Sequence, residues 1–402
     1  MKEHYSAVHR FVGFLCLFFL LIYGPSLSAQ VSFSQTLLNY NGNQNLSGGV
    51  TGMMFGPDNR LYVTSLHGKV NIFSIERNGT NDYQVTDVEV LDDIQDIVNH
   101  DDDGTACSGS FFQCNNRETI GIVVTGSAQN PVFYVSSSDV RIGAGSGGGN
   151  GDVGLDTNSG VITRFSWTGS SWDVVDIVRG LPRSEENHAT NGLDLVTIGG
   201  KPYLLVAQGG HTNGGGPSVN FVFSTEYALA AAVLAIDIEA IDSLPVQLDN
   251  GRKYIYDLPT LDDPTRPNAN GITDPDAPGY DGVDVNDPWG GNDGLNQAKV
   301  VPNGPVKILS RGYRNAYDLV VTKSGALYVT DNGANGGWGG FPVNEGTANV
   351  NNDYDPNEPG SQSYSGGEHI NNKDHLQLVT TDLSSYVFGQ YYGGHPNPVR
   401  SE

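Results

Sequence analysis

Ser310-Arg311-Gly312-Tyr313-Arg314-Asn315-Ala316-Tyr317-Asp318-Leu319-Val320-Val321, running on to Leu327-Tyr328-Val329-Thr330-Asp331-Asn332-Gly333, holds a polar Arg-Asn tip, two short apolar runs and a Gly/Asn-rich exit. Leu319 to Thr322 and Leu327 to Thr330 are rich in β-branched and aromatic residues and are joined by Lys323-Ser324-Gly325-Ala326, the pattern of a β-hairpin with a short turn. An arginine and an asparagine just before a strand sit where loops on a rigid β scaffold meet ligands. The alternative for the same two residues is structural: Arg314 pairing with a carboxylate and Asn315 shaping a turn.

The hairpin recurs along the chain. Gly48 to Phe55, Leu61 to Thr64 and Val70 to Ile75 form one set of three strand-like runs separated by turn residues. Ile120 to Thr125, Val132 to Val135 and Val161 to Trp167 form a second, and Leu193 to Ile198, Tyr203 to Ala207 and Val233 to Ile238 a third. The middle strands start near residues 61, 132, 203 and 327. Meanders repeated at this spacing predict an all-β protein, a β-propeller whose blades pack face to face. The long third interval holds an insertion, about 249–294, crowded with Asp, Pro, Gly and Asn; it reads as a decorated loop, either solvated and acidic or holding calcium, and no Asp spacing in it matches an EF-hand. Ser224-Thr225-Glu226 predicts a helix cap before the alanine-rich run 227–232. The Gly-rich segment 143–154 lacks the Lys and Ser/Thr of a phosphate-binding loop.

Composition agrees. Of 402 residues 53 are Gly and 16% are charged, which suits short strands and elaborate loops rather than helical bundles. A net charge of -24 argues against nucleic acid as a partner, since phosphate binding needs clustered Lys and Arg. His9-Arg10, the apolar run Phe11 to Tyr23 and the small residues ending at Ala29 predict a secretory signal over 1–29, with a propeller domain over 30–402 and a secreted, periplasmic or cell-surface location. No later segment could cross a bilayer as a helix. Cys107 and Cys114, left after the signal is removed, predict a disulfide; a metal site there lacks histidines or further cysteines at ligand spacing. The ending at Glu402, after four recognisable repeats, predicts an incomplete ring.

Two further polar clusters precede strands as the Arg-Asn tip does: Gly180 to Leu193, containing His188, and Arg117 to Gly121. If all three lie at the same strand ends, a propeller gathers them at one mouth of its channel, where a histidine is a natural general base. His188 can equally be an ordinary loop histidine. At these residues the chain resembles the secreted glucose/sorbosone dehydrogenases that use pyrroloquinoline quinone, over about Gly49 to the end. Gly312-Tyr313-Arg314-Asn315 is similar to that family's Gly-x-Arg-Asn signature, Asn187 to Leu193 to its His-x-Gly-Gly-like segment, and Arg117 to Gly121 to its Gly-Leu-Leu-Gly segment. Leu61 to Thr64 and the Gly68 turn match its opening blade. After Arg314-Asn315 this chain has Ala316-Tyr317-Asp318 where the family commonly has Pro-Gln-Gly, and Asn191 stands at a usual glycine.

The resemblance implies a six-bladed propeller and an oxidoreductase acting on a sugar or related polyol. It implies that His188 takes the hydroxyl proton as hydride passes to the quinone, that Arg314 and Asn315 contact the cofactor, and that backbone carbonyls near Asn332, Gly333 and Ala334 help hold calcium. The competing function is a non-catalytic propeller that binds glycans or proteins. In either case Trp289, Trp338, Tyr391 and Tyr392 are available to stack on sugars or to fill blade interfaces.

Overall fold

The computed structural model describes Gln35, Leu38, 49–101, 104–108, 112–143, 154–214, Phe221, 226–261, Asn268, 270–280, 298–335 and 373–396. The predicted signal, Trp289, Trp338, most of the 143–154 segment and residues 262–267, 269 and 281–294 of the insertion lie outside these residues. The chain divides into two units: Met1–Leu38 with Arg77–Tyr83, and Asn39–Glu76 with Gln84–Glu402. In the first, Arg77 lies over the Tyr83 ring, 5.6 Å from its centroid.

Among the described residues the fold is an all-β propeller with four blades. Blade 1 is β1 (Val50–Phe55), β2 (Leu61–Ser65), β3 (Lys69–Gly79) and β4 (Asp82–Leu91), hydrogen-bonded in that order. Blade 2 is β5 (Arg117–Gly126), β6 (Pro131–Asp139), β7 (Gly160–Trp167) and β8 (Trp172–Leu181). Blade 3 is β9 (Thr190–Ile198), β10 (Lys201–Gln208), β11 (Ala232–Asp237) and a strand reached only after the insertion. Between β11 and that strand lie a short helix, α1 (Ile238–Asp242), and a hairpin of β12 (Gln247–Asp249) and β13 (Arg252–Asp257). The closing strand is β14 (Val306–Arg311), and blade 4 follows as β15 (Ala316–Val321), β16 (Leu327–Asp331) and β17 (His375–Thr380).

Alternation within the strands explains why the middle ones read as continuous apolar runs. Leu204 and Val206 enter a core shared with blade 2, while Tyr203, Leu205 and Ala207 enter one shared with blade 4. In blade 2, Phe133 and Val135 face a core shared with blade 1 and Tyr134 faces blade 3. Each hydrophobic core is thus a seam between two blades, and a strand between two seams buries both faces. Blades 1 and 4 show the consequence on their other faces, where Met53, Phe55, Val320, Leu376 and Leu378 are exposed.

The innermost strands approach closely because glycine stands at one equivalent position. A Cβ on Gly52 of β1 would lie 2.7 Å from the Ile120 carbonyl of β5. On Gly121 of β5 it would lie 2.3 Å from the Asn191 carbonyl of β9, and on Gly192 of β9 2.3 Å from Asp318 of β15.

Several expectations are corrected. Tyr227 to Ala230 make a turn, not a helix: Leu229 and Ala231 take positive φ, and Ala232 already pairs in β11. Ile238 opens α1 instead of closing a strand, because Asp237 caps the helix by accepting from the Ala240 amide. The insertion begins with structure: β13 pairs parallel with β8 and widens blade 2 to six strands. Charge holds it there, with Arg179 bonded to both oxygens of Asp257 and to Asp249, and Arg252 bonded to both oxygens of Asp176. Cys107 and Cys114 are joined, with Cα atoms 5.3 Å apart. No helix among the described residues is long and apolar enough to cross a membrane.

Candidate functional site

The inner strands end at one cavity of about 840 Å³. His188, Arg314 and Asn315 line it together with Glu118, Glu186, Asn191, Asp331 and Asn332. His188 arrives on the loop between β8 and β9, and the Arg-Asn pair on the short link between β14 and β15. Both loops are clasped by Gly209 and Gly210, just past β10. The Gly210 amide donates to the Arg314 carbonyl at 3.0 Å, and the Gly209 amide donates to the Ala189 carbonyl at 3.0 Å. A Cβ on Gly209 would stand 2.7 Å from both the Asn315 side-chain oxygen and the His188 Cβ, so only glycine lets the two loops meet.

That clasp fixes the imidazole. His188 Nδ1 lies 2.8 Å from the Gly210 carbonyl, which can only accept, so Nδ1 carries the hydrogen and Nε2 keeps its lone pair. Nε2 faces the Glu186 carboxylate at 3.7 Å, and the Phe221 ring centre is 4.9 Å from the imidazole centre. Burial first, and the Arg314 charge second, hold the His188 pKa well below its ordinary value. It is therefore neutral at pH 7. Burial pushes the Glu186 carboxyl the other way, upward, against the pull of the Asn187 amide.

The Arg-Asn tip is held from behind by Asp331. Its carboxylate accepts from the Asn315 amide at 2.9 Å, the Arg314 amide at 3.3 Å and the Gln377 side chain at 2.9 Å. The Asn315 side chain accepts from Asn191 Nδ2 at 2.9 Å and donates to Asn332 Oδ1 at 3.4 Å. Arg314 Nε donates to Asn213 at 3.0 Å, with the guanidinium over the Phe221 ring. Asn332 and Gly333 line the main cavity, and with Ala334 they line a smaller neighbour of about 120 Å³ that also holds His395 and Gln377. The Gly333 amide donates to Asp374 at 3.1 Å. No group of three or more His, Cys, Asp or Glu side chains able to hold a metal occurs among the described residues, so a cation here would lean on carbonyl and amide oxygens.

Not every polar tip reaches the cavity. Arg117 is fully buried, donating to Asn99 and to the Ser159 carbonyl, and only Glu118 and Ile120 of its segment line the site. Glu118 pairs with Arg183 at 3.2 Å. Tyr391 packs in the seam between blades 3 and 4 and donates to Gln377, and neither it nor Tyr392 lines the main cavity. Sequence reasoning missed Glu186, Gly209 and Tyr317; the Gly-Gly pair directly after an apolar strand was the available signal for the clasp.

No protein-family model and no curated protein matches the sequence. Solved structures similar to it include the holo form of the pyranose dehydrogenase PQQ domain from Coprinopsis cinerea, 11% identical, covering 87% of this chain and 54% of that one at a TM-score of 0.38. Another is the iodide structure of a Trichoderma reesei family AA12 carbohydrate-active enzyme, 13% identical, covering 73% and 48% at 0.36. A further one is the PQQ-bound aldose sugar dehydrogenase from Streptomyces coelicolor, 14% identical, covering 72% and 58% at 0.33. The chain spans about half the length of these structures.

Proposed function

We propose that the chain is an exported quinone-dependent oxidoreductase that oxidises a sugar or related polyol, with residues 1–29 as a cleaved leader. The observation that carries this reading is the neutral His188 imidazole, tied at Nδ1 to the Gly210 carbonyl, in the same cavity as Arg314 and Asn315. Nε2 is the atom that takes a hydroxyl proton; a base with a lowered pKa is ready to accept at neutral pH. Arg314, fixed by Asn213 and Asp331, orients an electron-rich carbonyl, and Asn315 supplies an amide beside it. Burial of both loops excludes water from the proton-transfer atom.

The donor set fits the implied cofactors. Oxygens of Asn332, Gly333 and Ala334, beside Asp331 and Asp374, are the hard ligands that calcium takes. Arg314 and Asn315 present donors to a flat, carbonyl-bearing ring in a cavity of about 840 Å³. When bound, calcium-held pyrroloquinoline quinone supplies the two-electron acceptor for the hydride that leaves the carbinol carbon.

The test is reconstitution with calcium and pyrroloquinoline quinone, followed by a dye-linked sugar oxidation assay of the wild type and His188→Ala. A rate loss of roughly 10²–10⁴ in the variant, with quinone binding kept, is expected for removal of a general base. A wild type that binds no quinone replaces this reading with the glycan- or protein-binding propeller.

A further inference from the structure

The four inner strands share a further irregularity, which in β1, β5 and β9 sits beside the glycine. Register slips occur between Val50 and Gly52 in β1, between Thr119 and Ile122 in β5, opposite Val206 to Gln208 in β9, and between Ala316 and Asp318 in β15. A bulge turns an extra side chain out of the ladder. Here the displaced residues include Thr51, Ile120, Asn191 and Tyr317, one per blade, and all four line the main cavity. Bulges at one level of successive blades therefore make a ring of side chains around the site.

The four are not equivalent. The Thr51 hydroxyl is engaged by Thr64 at 3.1 Å. Asn191 spends its amide on Asn315 and the Ala316 carbonyl. Ile120 is buried. Tyr317 alone of the ring offers a large flat face, 44% exposed, within the cavity. Leu66, Ile120 and Leu376 add apolar atoms to the same lining, and the Glu118 carboxylate, paired on one side with Arg183, adds an acceptor.

We infer that Tyr317 is a stacking platform that selects ring-form sugars over open-chain polyols; this rests on the cavity being a sugar site. One face of a pyranose is a contiguous patch of C–H groups, which matches the negative face of an aromatic ring, while its equatorial hydroxyls reach out to acceptors such as Glu118. An open-chain polyol has no such fixed face and loses rotational freedom when it is flattened against one.

The experiment measures sugar binding directly, by saturation-transfer NMR on the full chain without quinone, using methyl glucoside and methyl galactoside and the corresponding hexitols. The wild type is expected to bind the glycosides in preference to the hexitols, Tyr317→Phe to keep that preference, and Tyr317→Ala to lose roughly 3- to 10-fold in glycoside affinity. Equal binding of hexitols and glycosides, no glycoside binding, or a Tyr317→Ala variant that binds as the wild type does overturns the inference. Quinone titration by absorbance on the same samples separates two failures. Absent quinone binding with intact Tyr317-dependent glycoside binding defeats the dehydrogenase reading alone. Quinone binding lost in Tyr317→Ala with glycoside binding kept makes the ring a cofactor contact and overturns the inference.

Discussion

Asp156 is a residue whose cost can be read from its surroundings. It is 2% exposed; Oδ1 accepts from the Asn158 amide, and Oδ2 has no hydrogen-bond partner among the described residues. Burial pushes its carboxyl up to about 7 from an ordinary 3.8. Between those values the folded state holds a proton that the unfolded state has lost, so its contribution to stability falls as pH rises and is fully unfavourable above 7. Asp156→Asn should therefore stabilise the fold at pH 8, by about 4 kcal/mol as an upper bound, and leave it little changed near pH 4. Denaturant melts at the two pH values check this; an equal effect at both would contradict it. His211 runs the other way. Burial lowers it to about 4, so stability is lost as pH falls below the ordinary imidazole value of 6.5. His188 shares that sign, which is why its imidazole is neutral where a base is needed.

Among elements, the inner strands carry the tightest requirement. Gly121 sits where a Cβ would meet the Asn191 carbonyl at 2.3 Å, and backbone cannot step aside as a flexible side chain can. Gly121→Ala is expected to cost on the order of 2–4 kcal/mol through the overpacked seam between blades 2 and 3. Gly214→Ala, with nothing within 4 Å among the described residues, should be near neutral. Chemical denaturation of both variants distinguishes this from a general intolerance of alanine. The central strands were legible in sequence because both faces are buried and the apolar run is unbroken. Polar edge strands such as β12 and β17 were not legible, since their burial depends on partners far along the chain. β13 shows the reason: its place beside β8 is set by Arg179 and Arg252 meeting Asp257 and Asp176, and no local period encodes that. The 227–232 run failed for a related cause, because Ala232, which favours a helix in isolation, pairs here in β11 and packs in the seam between blades 2 and 3.

For the whole molecule, the repeat is what made a site readable. Three polar tips ahead of three inner strands predicted one gathering point, and His188, Arg314, Asn315 and Glu118 do line one cavity. What spacing could not show was which side chain of each tip turns inward: Arg117 goes to a buried network while its neighbour Glu118 takes the cavity position. The central proposal is that this gathered site passes a sugar's hydroxyl proton to His188 and its hydride to a bound quinone. Stopped-flow absorbance on calcium- and quinone-loaded protein mixed with a pyranose, with no dye present, tests it most directly. Reduction of the bound quinone in a single turnover is predicted for the wild type, slowed roughly 10²–10⁴ in His188→Ala. A quinone spectrum that sugar leaves unchanged, or the same rate in both proteins, would contradict the account.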